Sequence, residues 1–131
     1  MVRIELHSSN FEQTSGLIEE FCSKHMPDSS EFCFKVKLVY EELMTNMFKH
    51  AIKHGTTFVD FDITKKGNEN IEMVFIYDGN EFDPTTYKDK RIEESIENKE
   101  KGGLGLFLVT NLSKSFVYEH KYGINTIHVE I

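Results

Sequence analysis

The sequence predicts an α/β (α+β) two-layer sandwich, with helices on one face of a mixed, mostly antiparallel sheet. Segments in which apolar and polar residues alternate, as in half-buried strands, occur near the start and in the middle of the chain. Two longer segments carry apolar residues at helical spacing. Several strands follow one another through short turns, which favours antiparallel pairs with helices packed on one side.

The element boundaries come from local signals. Asn10, with Gln13 three residues later, is typical of a capping box at the start of a helix. Pro27 disfavours helical geometry at the residue before it, and Gly55 is a typical C-terminal glycine. The near-continuous apolar run over 71–77 predicts a central strand with both faces covered. The predicted elements are a strand over 2–7, helices over 10–25 and 30–53, strands over 57–64 and 71–77, a helix that follows the glycine run 102–105 and ends near 113, and strands over 115–120 and 125–131.

A single domain spanning residues 1–131 is expected, because a chain of 131 residues supports one hydrophobic core. The formal net charge of −7 disfavours nucleic acid as a partner, since an acidic surface repels phosphates. No signal peptide or membrane span is expected, because the apolar stretches are too short. The protein is therefore predicted to be soluble and cytoplasmic.

The two cysteines, Cys22 and Cys33, do not have the CxxC spacing. A single disulfide is compatible with their number. We interpret them as reduced thiols that pack as small hydrophobic side chains on helices.

The charged segment over 85–101 is rich in Lys and Glu and is predicted to be an exposed loop or a frayed short helix. Long loops inside compact domains are usually functional and often act as lids. The sequence therefore predicts a lid at this place.

Three segments carry residues suited to chemistry, and the first lies on the long helix. Glu42, Asn46 and His50 are spaced i, i+4, i+8, with Lys49 beside them. An Asn carbonyl oxygen suits the hard cation Mg²⁺, and a Glu one turn earlier can act as a general base. The same residues are also compatible with the ordinary polar flank of an exposed helix.

The second segment is the glycine run Gly102-Gly103-Leu104-Gly105, followed by Leu106 at the start of an apolar helix. Glycines let a backbone approach a ligand closely, and a helix N-terminus favours phosphate. No Gly-Lys-Ser/Thr follows, so the run is not a P-loop. A flexible hinge that enters a buried helix is the alternative interpretation.

The third segment, 78–84, reads DGNEFDP and follows a buried strand. A carboxylate at such a strand end, here Asp78, can accept a hydrogen bond from an exocyclic amine such as that of adenine. A tight turn built from turn-forming residues is the alternative.

Taken together, in this order and spacing, the three segments resemble the N-box, G1-box and G2-box of the Bergerat-type ATPases, which include histidine kinases and type II topoisomerases. The closest similarity is to the anti-sigma factor serine/threonine kinases. The matching segments are EELMTNMFKHA at 41–51, DGNEFDP at 78–84 and GGLGLFLV at 102–109. The resemblance covers nearly the whole chain and implies the Bergerat ATP-binding fold.

The resemblance also implies roles for individual residues. Glu42 looks like the general base, and Asn46 looks like the Mg²⁺-binding asparagine. Asp78 would contact adenine, and Thr126 is similar to the threonine that supports that carboxylate. The implied ATP-binding set is Asn46, Lys49, His50, Asp78, Gly79, Gly102, Gly103, Leu104, Gly105, Leu106 and Thr126.

The implied reaction transfers the γ-phosphate of ATP, with Mg²⁺, to a serine of an anti-anti-sigma factor of the STAS type. The same family binds a sigma factor in its other state and commonly forms homodimers. Two alternatives remain open at this point. One is a partner-switching adaptor with little or no ATP turnover, and the other is the ATPase module of a histidine kinase whose phospho-acceptor lies on a separate protein.

One departure from the family pattern bears on adenine recognition. The family usually shows D-x-G before F-D-P, whereas Asp78 and Gly79 are adjacent here. Either one residue is deleted, or Tyr77 occupies the usual aspartate place with Asp78 beside it. A shift of one residue in a strand reverses the face to which a side chain points.

Overall fold

The structure is a computed structural model that describes residues 1–9, 11–68, 70–86 and 101–131, with the backbone alone for 11–13, 86 and 101–104. The predicted capping residue Asn10 lies outside the described residues. So does the predicted lid over 87–100.

Eight helices and strands make up the described part of the chain. They are β1 (Val2–Glu5), α1 (Phe11–His25), α2 (Ser30–Lys49), β2 (Phe58–Lys66), β3 (Asn70–Tyr77), α3 (Lys101–Leu112), β4 (Ser115–Lys121) and β5 (Ile124–Glu130). The sheet order is β1-β2-β3-β5-β4. All four of these pairings are antiparallel. The predicted fold class is thereby confirmed, and the sheet described here has no parallel pair.

The core lies between one face of the sheet and the helices. Alternate residues of β3, from Ile71 to Tyr77, are buried, as are Val59 and Phe61 of β2. Tyr40 of α2 is fully buried at the centre, with its ring 4.8 Å from that of Phe61. The other side-chain positions of β3 are only half-buried, so one face of this central strand remains partly open. The prediction that both faces are covered was wrong.

The long helix α2 ends earlier than its apolar periodicity predicts. The backbone leaves α-helical geometry at His50, where φ is −119°, and continues as a 3-10 turn over Ala51–His54. Gly55 then adopts φ +92°, the left-handed conformation that ends the turn. The apolar pattern continues through both helix types, so periodicity alone does not locate the change.

The turn after β3 packs directly on this end of the helical segment. Gly79 has φ +95°, and a Cβ atom on it would lie 2.6 Å from the amide nitrogen of Thr56 and 2.8 Å from the carbonyl carbon of Gly55. The amide of Asn80 donates to the carbonyl oxygen of His54 at 2.8 Å. The two turns therefore approach so closely that only glycine fits at position 79.

The Gly79→Ala variant is expected to lose at least about 3 kcal/mol of unfolding free energy, because it combines a left-handed backbone with a collision against main-chain atoms. Gly67→Ala is the matched control. Gly67 has φ +70° but open space around the added Cβ. This control should lose only about 1 kcal/mol of unfolding free energy. Urea unfolding of both variants checks the comparison, and equal losses would contradict the close approach.

Candidate functional site

Helix α2 presents Glu42 and Asn46 one turn apart. Asn46 is 4% exposed, and its Nδ2 donates to the backbone carbonyl oxygen of Glu42 at 2.8 Å. Its Oδ1 accepts no hydrogen bond from the described part of the chain. A buried carbonyl oxygen without a partner is unusual and suits a hard cation such as Mg²⁺. The residue type and its environment thus fit the metal role that the resemblance implies.

The Glu42 carboxyl group is half-buried, and its pKa is raised above the usual value. Burial is the main cause, the negative charge of Glu41 adds to it, and the positive charge of Lys49 opposes it. A carboxylate with a raised pKa is a stronger base. Lys49, the last residue of α2, is exposed, and His50, which follows it, is half-buried.

The carboxylate of Glu42 lies against helix α3. A Cβ atom added to Gly105 would lie 2.0 Å from Oε2 of Glu42 and 2.8 Å from its carboxyl carbon. Any side chain at position 105 would therefore displace the carboxylate. The structure brings the first predicted motif, on α2, into direct contact with the glycine run.

The glycine run is part of α3 itself. The prediction placed Gly102, Gly103, Leu104 and Gly105 before the helix, but α3 begins at Lys101 and includes them. Each glycine weakens a helix interior by roughly 1 kcal/mol relative to Ala. The glycine-rich composition therefore predicts that the helix begins after the run, whereas in the structure the run is helical. Leu106 is 1% exposed and belongs to the core, so its side chain is not available to a ligand.

Tyr77 and Asp78, the two residues of the altered motif, lie where β3 ends and make different contacts. Tyr77 is fully buried on the helix-facing side of the sheet, and its hydroxyl donates to the carbonyl oxygen of Phe82 at 2.7 Å. Burial raises the pKa of Tyr77, so it is a neutral donor. Asp78 is the next residue and turns toward β2. The helix-facing place at the strand end is therefore held by tyrosine.

The carboxylate of Asp78 is bound by the start of β2. Its Oδ1 accepts hydrogen bonds from the amides of Thr57 at 2.7 Å and Phe58 at 3.2 Å, and its Oδ2 accepts one from the Thr57 hydroxyl at 2.6 Å. Burial acts to raise the pKa of Asp78, but these hydrogen bonds outweigh it and the net pKa is lowered. The acceptor atoms predicted to bind adenine thus already have protein donors.

Thr126 does not support Asp78 as predicted. It pairs with Ile76 and lies on the sheet face away from the helices, whereas Asn125 pairs with Tyr77. The hydroxyl that binds the Asp78 carboxylate belongs to Thr57. The physical reason is that Asp78 turns toward β2, whereas Thr126 lies on β5, which pairs with the opposite edge of β3.

Asn125 is the residue at this site that the sequence analysis missed. It is fully buried, and its Nδ2 lies 3.3 Å from each of the backbone carbonyl oxygens of Tyr77, Asp78 and Asn80. Its Oδ1 accepts hydrogen bonds from the Tyr118 hydroxyl and from the amide of Phe82. The sequence did contain a signal for it, because Asn125 is a polar residue two positions before Ile127 and four before Val129, on the same core-facing side of the strand.

The antiparallel sheet, the helices on one face, and a Glu that contacts a glycine-rich helix are consistent with an ATPase-type domain of the α/β two-layer class. The chain belongs to the histidine kinase-like ATPase domain family, whose model matches residues 9–131. A comparison with curated proteins found no match. No helix in the described residues is long and apolar enough to cross a membrane.

Two solved structures share this fold. A chain of the SiaB-SiaC complex from Pseudomonas aeruginosa is 12% identical, with a TM-score of 0.65 over 100% of this chain and 89% of that one. The histidine kinase domain from the blue-light activated histidine kinase EL346 of Erythrobacter litoralis is 16% identical, with a TM-score of 0.52 over 77% of this chain and 47% of that one. At these identities the similarity shows the fold alone.

The hydrogen bonds to Asp78 predict an acid-dependent stability. Because its pKa is lower in the folded than in the unfolded state, the carboxylate stabilises the fold above its unfolded pKa, and this contribution is lost as pH falls through the folded pKa. Asp78→Asn should cost about 1 kcal/mol at pH 7, allowing for solvent screening, and progressively less below about pH 4.

Urea unfolding at a series of pH values measures this difference. Thr57→Val removes one donor and should show the same pH trend with a smaller amplitude. A difference between wild type and Asp78→Asn that stays constant down to about pH 2 would contradict the ionic character of the contact.

Proposed function

We propose that this domain is an ATP- and Mg²⁺-dependent serine/threonine protein kinase that acts as an anti-sigma regulator. The observation that carries the proposal is the contact of the Glu42 carboxylate with the glycine-rich start of α3 at Gly105. A general base and a phosphate-binding backbone must be adjacent for phosphoryl transfer. Family membership supplies the ATPase framework.

In this proposal Asn46 holds Mg²⁺ through its buried Oδ1. A bound Mg²⁺ would supply positive charge to offset the negative charge of the phosphates. Asn46 is suited to this because its Nδ2 is fixed on the carbonyl oxygen of Glu42, which leaves Oδ1 as the ligand atom. Lys49 and His50 lie on the same helix face and would complete the phosphate side of the site.

Glu42 would take the proton from the attacking serine hydroxyl. As the serine oxygen forms its bond to the γ-phosphorus, the bond from that phosphorus to the β–γ bridging oxygen breaks and ADP leaves. Burial, which raises the pKa of Glu42, favours its acceptance of the proton. The backbone of Gly102, Gly103, Leu104, Gly105 and Leu106 would contact the phosphates.

Adenine recognition in this proposal involves Asp78 and Gly79, with Thr57 in place of Thr126 as the residue that supports the Asp78 carboxylate. Because the Asp78 carboxylate already accepts three hydrogen bonds from Thr57 and Phe58, Oδ2 is the atom with room to accept one from the exocyclic amine. We therefore expect ATP affinity to be modest for this fold.

The proposed substrate is a STAS-type anti-anti-sigma factor, and the proposed alternative partner is a sigma factor. The fold shared with a chain of the SiaB-SiaC complex supports a protein partner of this general kind. The formal net charge of −7 favours protein over nucleic acid partners.

We propose a cytoplasmic location and a homodimer, in line with the family resemblance.

Glu42→Gln is expected to lower phosphate transfer at least about 100-fold, because it removes the base but keeps the side-chain shape. Glu41→Gln is the matched control, since Glu41 is the neighbouring carboxylate and pairs with Lys37 instead. Transfer is measured with γ-³²P-ATP and the STAS-domain proteins of the source organism. Full activity of Glu42→Gln would refute the assigned base.

The second candidate function is a partner-switching adaptor with little or no ATP turnover. The observation that favours it is the buried Tyr77 at the helix-facing place where the family usually has aspartate. This function predicts partner binding that Asn46→Ala leaves intact, together with no phosphate transfer by the wild type. Co-purification with the partner and the transfer assay together separate the two functions.

A further inference from the structure

The junction between α1 and α2 brings the two cysteines of the chain together. Cys22, in the last turns of α1, is 8% exposed, and Cys33, in the first turn of α2, is half-buried. The connection between the helices is held by backbone hydrogen bonds from Met26 to Cys22 at 2.8 Å and from Cys33 to Ser29 at 2.9 Å. The turn therefore fixes the position of Cys33 relative to Cys22.

The two thiols face each other across this junction. The Cys22 thiol is hydrogen-bonded to the sulfur of Cys33, whose own Sγ donates to the carbonyl oxygen of Met26 at 3.7 Å. Both cysteines line one cavity of about 250 Å³, together with Ser23, Met26, Pro27 and Ser30. This volume is larger than one water molecule needs, so the cavity has room for a small oxidant beside the two cysteines.

We propose that Cys22 and Cys33 form a reversible redox site that closes an intramolecular disulfide when the protein meets a peroxide. The proposal is independent of the kinase function, because it rests on the helix junction and not on the nucleotide site.

The reaction balances with hydrogen peroxide as the oxidant. The Cys33 sulfur, which is the more accessible, attacks one peroxide oxygen; the O–O bond breaks, water leaves, and a sulfenic acid forms. The Cys22 sulfur then attacks the Cys33 sulfur, the S–O bond breaks, and a second water leaves with the Cys22 proton. Two thiols and one peroxide thus give one disulfide and two waters.

The two cysteines are suited to different steps. Burial is the main cause that raises the pKa of Cys22 to about 12, and its hydrogen bond with Cys33 adds to this. Cys22 therefore remains a thiol and reacts poorly with peroxide in solution. Cys22 is therefore not the thiol that peroxide oxidises first, and its attack on the adjacent Cys33 sulfenic acid requires its proton to pass to the departing water.

The test is peroxide treatment of the full chain, followed by denaturation, alkylation with N-ethylmaleimide and intact-mass measurement. We expect both thiols to become protected and to be recovered with dithiothreitol. A digest without reductant should yield one peptide pair that joins Cys22 and Cys33. The oxidised protein should melt about 5–10 °C higher, because the cross-link restricts the unfolded chain.

Cys22→Ser should accumulate a sulfenic acid at Cys33 that dimedone traps, and Cys33→Ser should lose the protection of Cys22. The wild-type digest decides the matter even if a variant fails to fold. The proposal is overturned if both thiols stay alkylatable at peroxide concentrations that oxidise Cys33 in Cys22→Ser, or if only intermolecular disulfides form.

Discussion

The close approach of two backbone turns is the constraint on which the rest of the site depends. Gly79, after β3, lies on Gly55 and Thr56, after the helical segment of α2, with less than 3 Å available for a Cβ atom. The Thr56 hydroxyl donates to the carbonyl oxygen of Asp78 at 2.8 Å and adds to the contact. Because α2 carries Glu42 and Asn46, this contact fixes both residues relative to the end of the sheet.

A second close approach, between Glu42 and Gly105, joins α2 to α3. Both contacts are made at a glycine, but a Cβ atom on Gly79 would meet main-chain atoms, whereas one on Gly105 would meet the end of the Glu42 side chain. Between them, the hydrogen bonds of Asn125 hold the chain from Tyr77 to Phe82. This buried polar cluster gives each of its groups a partner, which is the condition under which such clusters stabilise a fold. Tyr77, at the helix-facing end of β3, is thus part of the core.

The sequence predicted the fold class and the strands well, because period-two alternation and turn residues act locally. It predicted the end of α2 less well, since apolar spacing continues from the α-helix into the 3-10 turn over Ala51–His54. The glycine run was expected before α3 but lies within it, because tertiary packing can override low helix propensity.

At the site itself, the sequence predictions differ from the structure mainly by one position along the strand. Alternation of apolar and polar residues shows which residues share one face of a strand. Which of the two faces packs against the helices is known only from the assembled fold. That is why Asp78 and Thr126 were chosen, whereas Tyr77 and Asn125 hold the helix-facing places. The contact of Glu42 with Gly105 joins residues far apart in the chain, and only the assembled fold reveals it.

The most direct measurement is a calorimetric titration of the protein with ATP, with and without Mg²⁺, alongside Asn46→Ala. The nucleotide site described here predicts binding that requires Mg²⁺ and that weakens at least about tenfold in the variant, because the Oδ1 ligand is lost. Binding of equal strength in both proteins, or no binding to the wild type, would contradict it.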